Sequence, residues 1–304
     1  MPEANDRDDE AAIAQVRSFN RTVTERVGVL HDHYLGRERP IGEARVLWEI
    51  GADGRDVRRL RKRLALDSGY VSRLLRSLEA DGLVTVEQSN HDRRVRTVRL
   101  TEKGTAERNT LDDRSDDLAR DLLEPLNGRQ RAGLVAAMSE VDRLLTAATV
   151  TLDEVDPDHP DAQACLRAYF AELQDRFDNG FDPARSLLPD AGDLRPPRGR
   201  FLVARLRGEP VGCAGLKLPG GSETAAEIKR MWVAPNTRGL GLARRFLTEL
   251  EARARDAGRN ALRLDTNKAL TAAIALYRSH GYDEIAAFND EPYAHHWFEK
   301  RLTA

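Results

Sequence analysis

A chain of 304 residues is longer than one hydrophobic core comfortably serves, so two domains of roughly 150 residues each are expected. With 40% hydrophobic and 32% charged residues and a net charge of −2 it reads as a globular protein, and no apolar run approaches the roughly 18 residues of a membrane-spanning helix. Cys165 and Cys213 stand far apart without a CxxC spacing, which argues against a disulfide framework or a metal site; the acidic start MPEANDRDDE lacks the basic and apolar regions of a secretory signal, so a cytoplasmic location is expected.

In chain order, residues 1–10 are expected to form a disordered tail. Helical patterning follows over Ile13 to about Leu35, Gly42–Ile50 and Asp56–Leu66. Asp67 or Ser68 can cap a further helix whose apolar residues Val71, Leu74, Leu75 and Leu78 recur at i, i+3, i+4 and i+7, with Gly82 as its stop. Two alternating segments, Leu83–Glu87 and Val95–Leu100, flank the polar stretch Gln88–Arg94 and read as a hairpin. Long helices are expected from Thr101 to about Leu123 and over Arg129–Ala147. The boundaries drawn are 11–148 for the first domain, 149–160 for an acidic, proline-bearing linker and first strand, and 161–304 for the second domain. There a helix covers 162–176 and strands cover 200–207, 210–218 and 226–234. A helix over 239–257, a strand over 261–266, a helix over 271–280 and strands near 284–288 and 294–301 complete a mixed α/β sheet.

Charge is distributed unevenly. Between Arg55 and Arg99 twelve Arg and Lys residues face six Asp and Glu, a surplus of +6 in a chain that is otherwise acidic. Such a surplus marks a polyanion-binding surface. It coincides with helix, turn, helix and basic hairpin, the winged helix-turn-helix arrangement. The second helix presents Ser68, Tyr70, Ser72, Arg73 and Arg76 outward, side chains suited to base edges and phosphates. The hairpin carries Arg93, Arg94 and Arg96, on a projection thin enough for a minor groove.

The stretches LDSGYVSRLLRSLEADGLV and DRRVRTVRLTEKG resemble the MarR family of winged-helix regulators. The resemblance implies a mainly α fold, a double-stranded DNA operator of pseudo-palindromic sequence, and a homodimer interleaved through the first and last helices. It also implies that Asp92 orients Arg94 at the wing tip.

The densest signal of the second half is Glu227–Ala243, EIKRMWVAPNTRGLGLA, a strand, a short loop and a helix start. Glycines at 239 and 241 leave backbone N–H groups uncovered where the helix dipole favours a pyrophosphate, and Arg238 adds positive charge. A dinucleotide-binding Rossmann fingerprint fits poorly, because Arg244 stands at its third glycine and Pro235–Arg238 separates strand from glycines, although Asp265 ends a later strand. The alternative R-x-x-G-x-A is met by Arg238, Gly241 and Ala243, and Ala273-Ile-Ala-Leu-Tyr277-Arg-Ser-His-Gly281-Tyr282 lies downstream.

These motifs resemble the GNAT superfamily of acyl-CoA N-acyltransferases. The resemblance implies an acetyl-CoA site built from Met231, Trp232, Val233, Arg238, Gly239, Leu240, Gly241, Leu242, Ala243 and Arg244, with Asn267 touching the CoA arm. The backbone N–H of Val233 would meet the thioester carbonyl, Tyr277 would protonate the departing thiolate, and Glu227 would serve as base. No covalent enzyme intermediate and no metal is required. The amine acceptor is expected near Phe177–Leu188 and Ala287–Tyr293, where Asp178, Asp182, Asp290 and Glu291 supply negative charge. The whole reads as a bifunctional transcriptional regulator and N-acetyltransferase, acting by direct transfer through a ternary complex on a small-molecule primary amine, with a protein lysine as second choice. The alternatives are a regulator whose second domain only senses acetyl-CoA, and an acetyltransferase whose winged helix only dimerises.

Overall fold

Helix α1 (Glu3–Arg26) opens the computed structural model, which describes residues 3–27, 34–36, 39–88, 96–220 and 224–302. It begins within the stretch expected as a tail, just after Pro2, since no proline or glycine follows in that stretch to interrupt a helix. Tracing by contacts divides the chain into two units, 1–136 and 137–304.

In the first unit α2 (Ile41–Ile50) leads through β1 (Arg55–Asp56) to α3 (Val57–Leu64) and α4 (Ser68–Ala80). Asp56 and Asp67 cap the latter two, accepting hydrogen bonds from the backbone N–H of Arg59 and Tyr70 at 2.9 Å. Strands β2 (Val84–Gln88) and β3 (Arg96–Leu100) pair antiparallel, and β1 adds to the far edge of β3, giving the order β1-β3-β2. The four apolar residues of α4 are all buried, with Val46, Leu47, Ile50, Leu60, Leu83 and Val98 around them. Of the apolar residues of α3, only Leu60 is fully buried, while Val57 and Leu64 pack at the core's margin.

Helix α5 (Glu102–Leu123) starts where Thr101 accepts from the backbone N–H of Gly104 at 3.0 Å and donates to the carbonyl of Gly82 at 2.8 Å. A Cβ on Gly104 would lie 1.9 Å from the carbonyl oxygen of Leu83, so helix and hairpin meet backbone to backbone. Gly104→Ala is therefore expected to destabilise this unit by about 2 kcal/mol, read as a lowered midpoint in urea unfolding. An unchanged midpoint would show that the approach relaxes freely. Helix α6 (Gly128–Ala148) follows.

The second unit is built on one seven-stranded sheet of order β4-β5-β6-β7-β8-β10-β9. Its strands are β4 (Thr151–Glu154), β5 (Gly199–Leu206), β6 (Glu209–Lys217), β7 (Ala225–Val233), β8 (Ala261–Thr266), β9 (Asp283–Ile285) and β10 (His296–Arg301). All neighbours run antiparallel except β7 and β8, which are parallel. Helix α7 (Pro160–Arg176) precedes β5, α8 (Leu242–Asp256) joins β7 to β8, and α9 (Thr271–Ser279) joins β8 to β9. Phe246, Leu247, Leu250 and Ala254 of α8 bury against Leu216, Ala226 and Leu262 of the sheet, while Ala162, Cys165 and Leu166 of α7 bury against Phe201, Val203 and Cys213. No helix of the described residues is long and apolar enough to cross a membrane.

Candidate active site

The parallel pair supplies the opening. β7 and β8 are bonded only over Ala225–Glu227 against Ala261–Arg263, and beyond Glu227 they part. On its other edge β7 slips register against β6 between Cys213 and Gly215. Arg230 sits at that slip with φ of 56°, a left-handed conformation that side chains of L residues rarely adopt. Two cavities occupy the space so created.

The larger, about 430 Å³, is bounded by the end of β7 (Met231, Trp232 and Val233), by the turn Thr237–Gly241 and by the first residues of α8 (Leu242, Ala243 and Arg244). Gly239 and Gly241 have φ of 85° and 76°, and a Cβ on either would meet no protein atom within 4 Å. Gly241 is the N-cap of α8 and offers no side chain to bond its first turn. Amide donors at an uncapped helix start, reached by no intervening side chain, suit a diphosphate. Arg143, on the part of α6 that belongs to this unit, donates to the carbonyl of Gly239 at 3.0 Å. Leu240 lies outside the lining and packs against the hydrophobic core instead.

Arg238 lines this cavity, but its charge is already answered. Its guanidinium donates to both carboxylate oxygens of Glu172 on α7, at 2.6 and 2.7 Å, and its Nε to the carbonyl of Val233 at 3.1 Å. Glu172 also accepts from Trp232 Nε1 at 2.7 Å and pairs with Arg176 at 2.8 Å. Burial would raise the Glu172 carboxyl, yet the bonds from Arg238 and Trp232 outweigh it and hold the group below the ordinary carboxylate range.

The smaller cavity, about 100 Å³, shares Tyr169, Leu173, Met231, Leu270, Ala273 and Tyr277 with the larger, so the two meet along that seam. Tyr277 projects from α9, its ring packed near those of Tyr282 and Phe298 at 6.1 and 5.8 Å. Burial, and after it the nearby charge of Asp265, pushes the Tyr277 phenol well above its ordinary value, so it keeps its proton at neutral pH. No hydrogen bond among the described residues engages its hydroxyl, which leaves it available to a ligand.

Of the stretches expected to face an acceptor, Phe177, Phe181, Ser186, Leu187, Leu188, Glu291 and Tyr293 line the smaller cavity, whereas Asp178, Asp182 and Asp290 do not. Asn267 lines this cavity too, rather than the larger one, and its side chain is used in holding the turn before α9. It donates to the carbonyl of Tyr293 and accepts from the N–H of Ala269, both at 2.8 Å. Glu227 lines neither cavity: its carboxylate pairs with Lys229 at 3.2 Å, and Lys229 in turn bonds Asp265 at 2.6 Å. Asp265, weighed in the sequence only as part of a dinucleotide pattern, lines the smaller cavity. Tyr169, Glu172, Leu173 and Arg176 were missed as well. They share one face of α7 at i, i+3, i+4 and i+7, a period visible in sequence, although nothing local says that this face borders a cavity.

In the first unit, Ser68, Arg73 and Arg76 on α4 are exposed and Ser72 is half-buried. The guanidinium of Arg73 lies 5.6 Å from the centre of the Tyr70 ring, and Arg76 Nε bonds the carbonyl of Ser72 at 3.2 Å. The Tyr70 hydroxyl sits so close over α2 that a Cβ on Gly42 would come within 2.9 Å, which gives this residue a packing role of its own. Arg96 is exposed at the start of β3. Asp92, Arg93 and Arg94 lie outside the described residues.

Splayed parallel strands, a glycine turn at a helix start and a mixed sheet define an acyl-CoA N-acyltransferase fold, here following a winged helix. Comparison with known proteins agrees. Residues 157–282 match the model of the acetyltransferase (GNAT) family, and residues 36–95 that of the MarR family. The IAA acetyltransferase of Azospirillum brasilense is 41% identical over 120 residues, 38% of this chain and 76% of that protein. The uncharacterized N-acetyltransferase YjgM of Escherichia coli K12 is 31% identical over 130 residues, 42% and 78% of the two chains. A GNAT family acetyltransferase from Elizabethkingia anophelis, solved with acetyl-CoA bound, aligns over 51% of this chain and 99% of its own at 18% identity and a TM-score of 0.36. The chain belongs to the GNAT acetyltransferase family; it is an N-acetyltransferase carrying a MarR-family region ahead of its catalytic domain.

Proposed function

We propose that this protein transfers the acetyl group of acetyl-CoA directly to a primary amine of a small molecule, and that its N-terminal region binds an operator in duplex DNA as a homodimer. The observation that supports direct transfer is the seam. A cavity ending in a glycine cradle and a cavity with acidic and aromatic walls meet at Tyr277, so both substrates can be present when the acyl group moves.

In this reading the amides around Arg238–Ala243 hold the diphosphate, with Met231, Trp232 and Val233 along the arm and the Val233 N–H at the thioester oxygen. A preplaced donor of that kind stabilises developing negative charge without reorganising. An amine near neutral pH is largely protonated and must first give up a proton. Asp265, on the acceptor side, is better placed to collect it than Glu227, whose influence passes through Lys229 or water. Tyr277 then protonates the thiolate as it leaves. Intersecting double-reciprocal plots of initial rate in the two substrates are expected; parallel lines, the mark of a covalent acyl-enzyme, would overturn direct transfer.

The regulatory half rests on the exposed, basic face of α4 and on solvent-exposed apolar side chains. Ile13, Val16, Phe19 and Val23 of α1 are 58%, 58%, 42% and 39% exposed, and Val135, Met138, Leu144 and Leu145 of α6 are 51–63% exposed. Apolar rows of this size on long helices are characteristic of surfaces covered in an oligomer. Arg73→Ala is expected to weaken binding of an operator fragment about tenfold and to lower the magnitude of the salt slope by about one. A slope and affinity equal to those of the unaltered protein would remove α4 from the DNA interface.

A further inference from the structure

Arg230 is the one residue of the acceptor cavity whose position costs the fold something that transfer of an acetyl group does not explain. Its backbone is held at φ 56° in the slip between β6 and β7. A left-handed conformation in a side-chain-bearing residue costs of the order of 1 kcal/mol, and strands use such bulges to re-aim a side chain. The side chain so aimed lines the smaller cavity. One of its NH2 groups donates to the carbonyl of Pro189 at 2.6 Å, while its Nε is buried with no hydrogen-bond partner. Burial depresses the guanidinium pKa, as expected of a cation taken from water without a counter-ion.

The protein supplies that counter-ion nowhere among the described residues. Asp265 is engaged by Lys229 at 2.6 Å and Asn289 at 3.1 Å. Glu291 accepts from the hydroxyl of Ser186 at 2.9 Å and from the backbone N–H of Leu187 at 2.7 Å. Asp190 contributes through space but makes no ion pair with Arg230 among the described residues. The same cavity is lined by an aromatic cluster: Phe181 lies 5.9 Å from Phe177 and 5.0 Å from Tyr293, centre to centre, and is backed by Phe170 at 5.7 Å. A cation with an unbonded Nε and no counter-ion among the described residues, an apolar wall and an acid near Tyr277 are three separate demands on one small ligand.

We propose that the acceptor is an amino acid or a close analogue, whose carboxylate is bound by Arg230, whose apolar side chain rests on the Phe177–Phe181–Tyr293 wall, and whose amine is turned toward Asp265 and the Tyr277 seam. Pairing a carboxylate with Arg230 satisfies the orphaned Nε and neutralises a charge that is otherwise uncompensated. This identification rests on the acetyltransferase reading above and names its substrate class.

Release of free CoA thiol by the full-length protein tests it, with L-phenylalanine, L-leucine and L-methionine each set against the amine that lacks the carboxylate. Acetyl-CoA binding is measured in parallel by calorimetry. Each acid is expected to exceed its decarboxylated partner about 30-fold in kcat/KM, and Arg230→Leu is expected to remove that advantage chiefly through KM. Arg230→Lys should recover part of it, since charge returns without the planar donor edge. Equal use of acid and amine by the unaltered protein, or an equal loss on both in Arg230→Leu, overturns the proposal. So does an absence of both turnover and calorimetric binding of the acids in protein that takes up acetyl-CoA normally. Failure to take up acetyl-CoA at all strikes instead at the acetyltransferase reading, which keeps the two failures apart.

Discussion

Replacing Tyr277 by phenylalanine is expected to lower kcat about 100-fold while changing acetyl-CoA affinity little. The substitution removes one oxygen and leaves the ring, which packs beside Tyr282 and Phe298, so the shape of α9 against the sheet is retained. No hydrogen bond among the described residues is lost with the hydroxyl, and stability should hold. What disappears is a proton donor that burial and Asp265 keep protonated far above neutral pH. For the same reason the unaltered enzyme should show no fall in kcat through the ordinary phenol range near pH 10, because a raised pKa moves loss of that proton to higher pH. Stopped-flow release of thiol, with calorimetry of acetyl-CoA on both proteins, measures the two effects separately. A variant with unaltered kcat would assign the proton to water and reduce Tyr277 to a packing residue.

Gly241→Val should be as damaging, but to binding rather than chemistry. Gly241 holds φ at 76° as the N-cap of α8, where valine is strained whatever the space around it. Gly241 lines the cavity and its Cβ would meet no protein atom, so the added methyl groups take up open space at the turn whose amides are proposed to hold the diphosphate. Strain and obstruction together are expected to raise the acetyl-CoA dissociation constant about 100-fold, equivalent to roughly 2.7 kcal/mol. Circular dichroism separates this from unfolding, since α8 is anchored by Phe246, Leu247 and Leu250, none of which the substitution touches. Unchanged affinity in a folded variant would move the diphosphate away from this helix start and leave the cradle without a ligand.

These two residues were legible in the sequence for different reasons. Gly239 and Gly241 follow a strand and open a helix, and glycine at such a start is a local, covalent fact: it fixes which backbone angles are open and which amides are bare. Tyr277 could be singled out by its spacing before Gly281-Tyr282, because one helix and the turn after it set that geometry. The winged helix was legible likewise, from a helical stripe in Val71, Leu74, Leu75 and Leu78 that the core then buried. Where the reading ran differently from the structure, a long-range contact intervened. Arg238 looked like free positive charge until α7 brought Glu172 against it. Asn267 looked like a ligand contact, and its amide is instead occupied by the turn and by Tyr293.

Local rules thus determined the two fold classes, the glycine turn and the tyrosine at the seam, since each depends on residues close together in the chain. Only tertiary structure decided which carboxylate borders the smaller cavity, that Arg230 stands there without a counter-ion among the described residues, and that one face of α7 lines both cavities. Those outcomes arise where β7 parts from β8 and slips against β6, and a strand's register and divergence are properties of its neighbours, which no window of sequence along β7 contains.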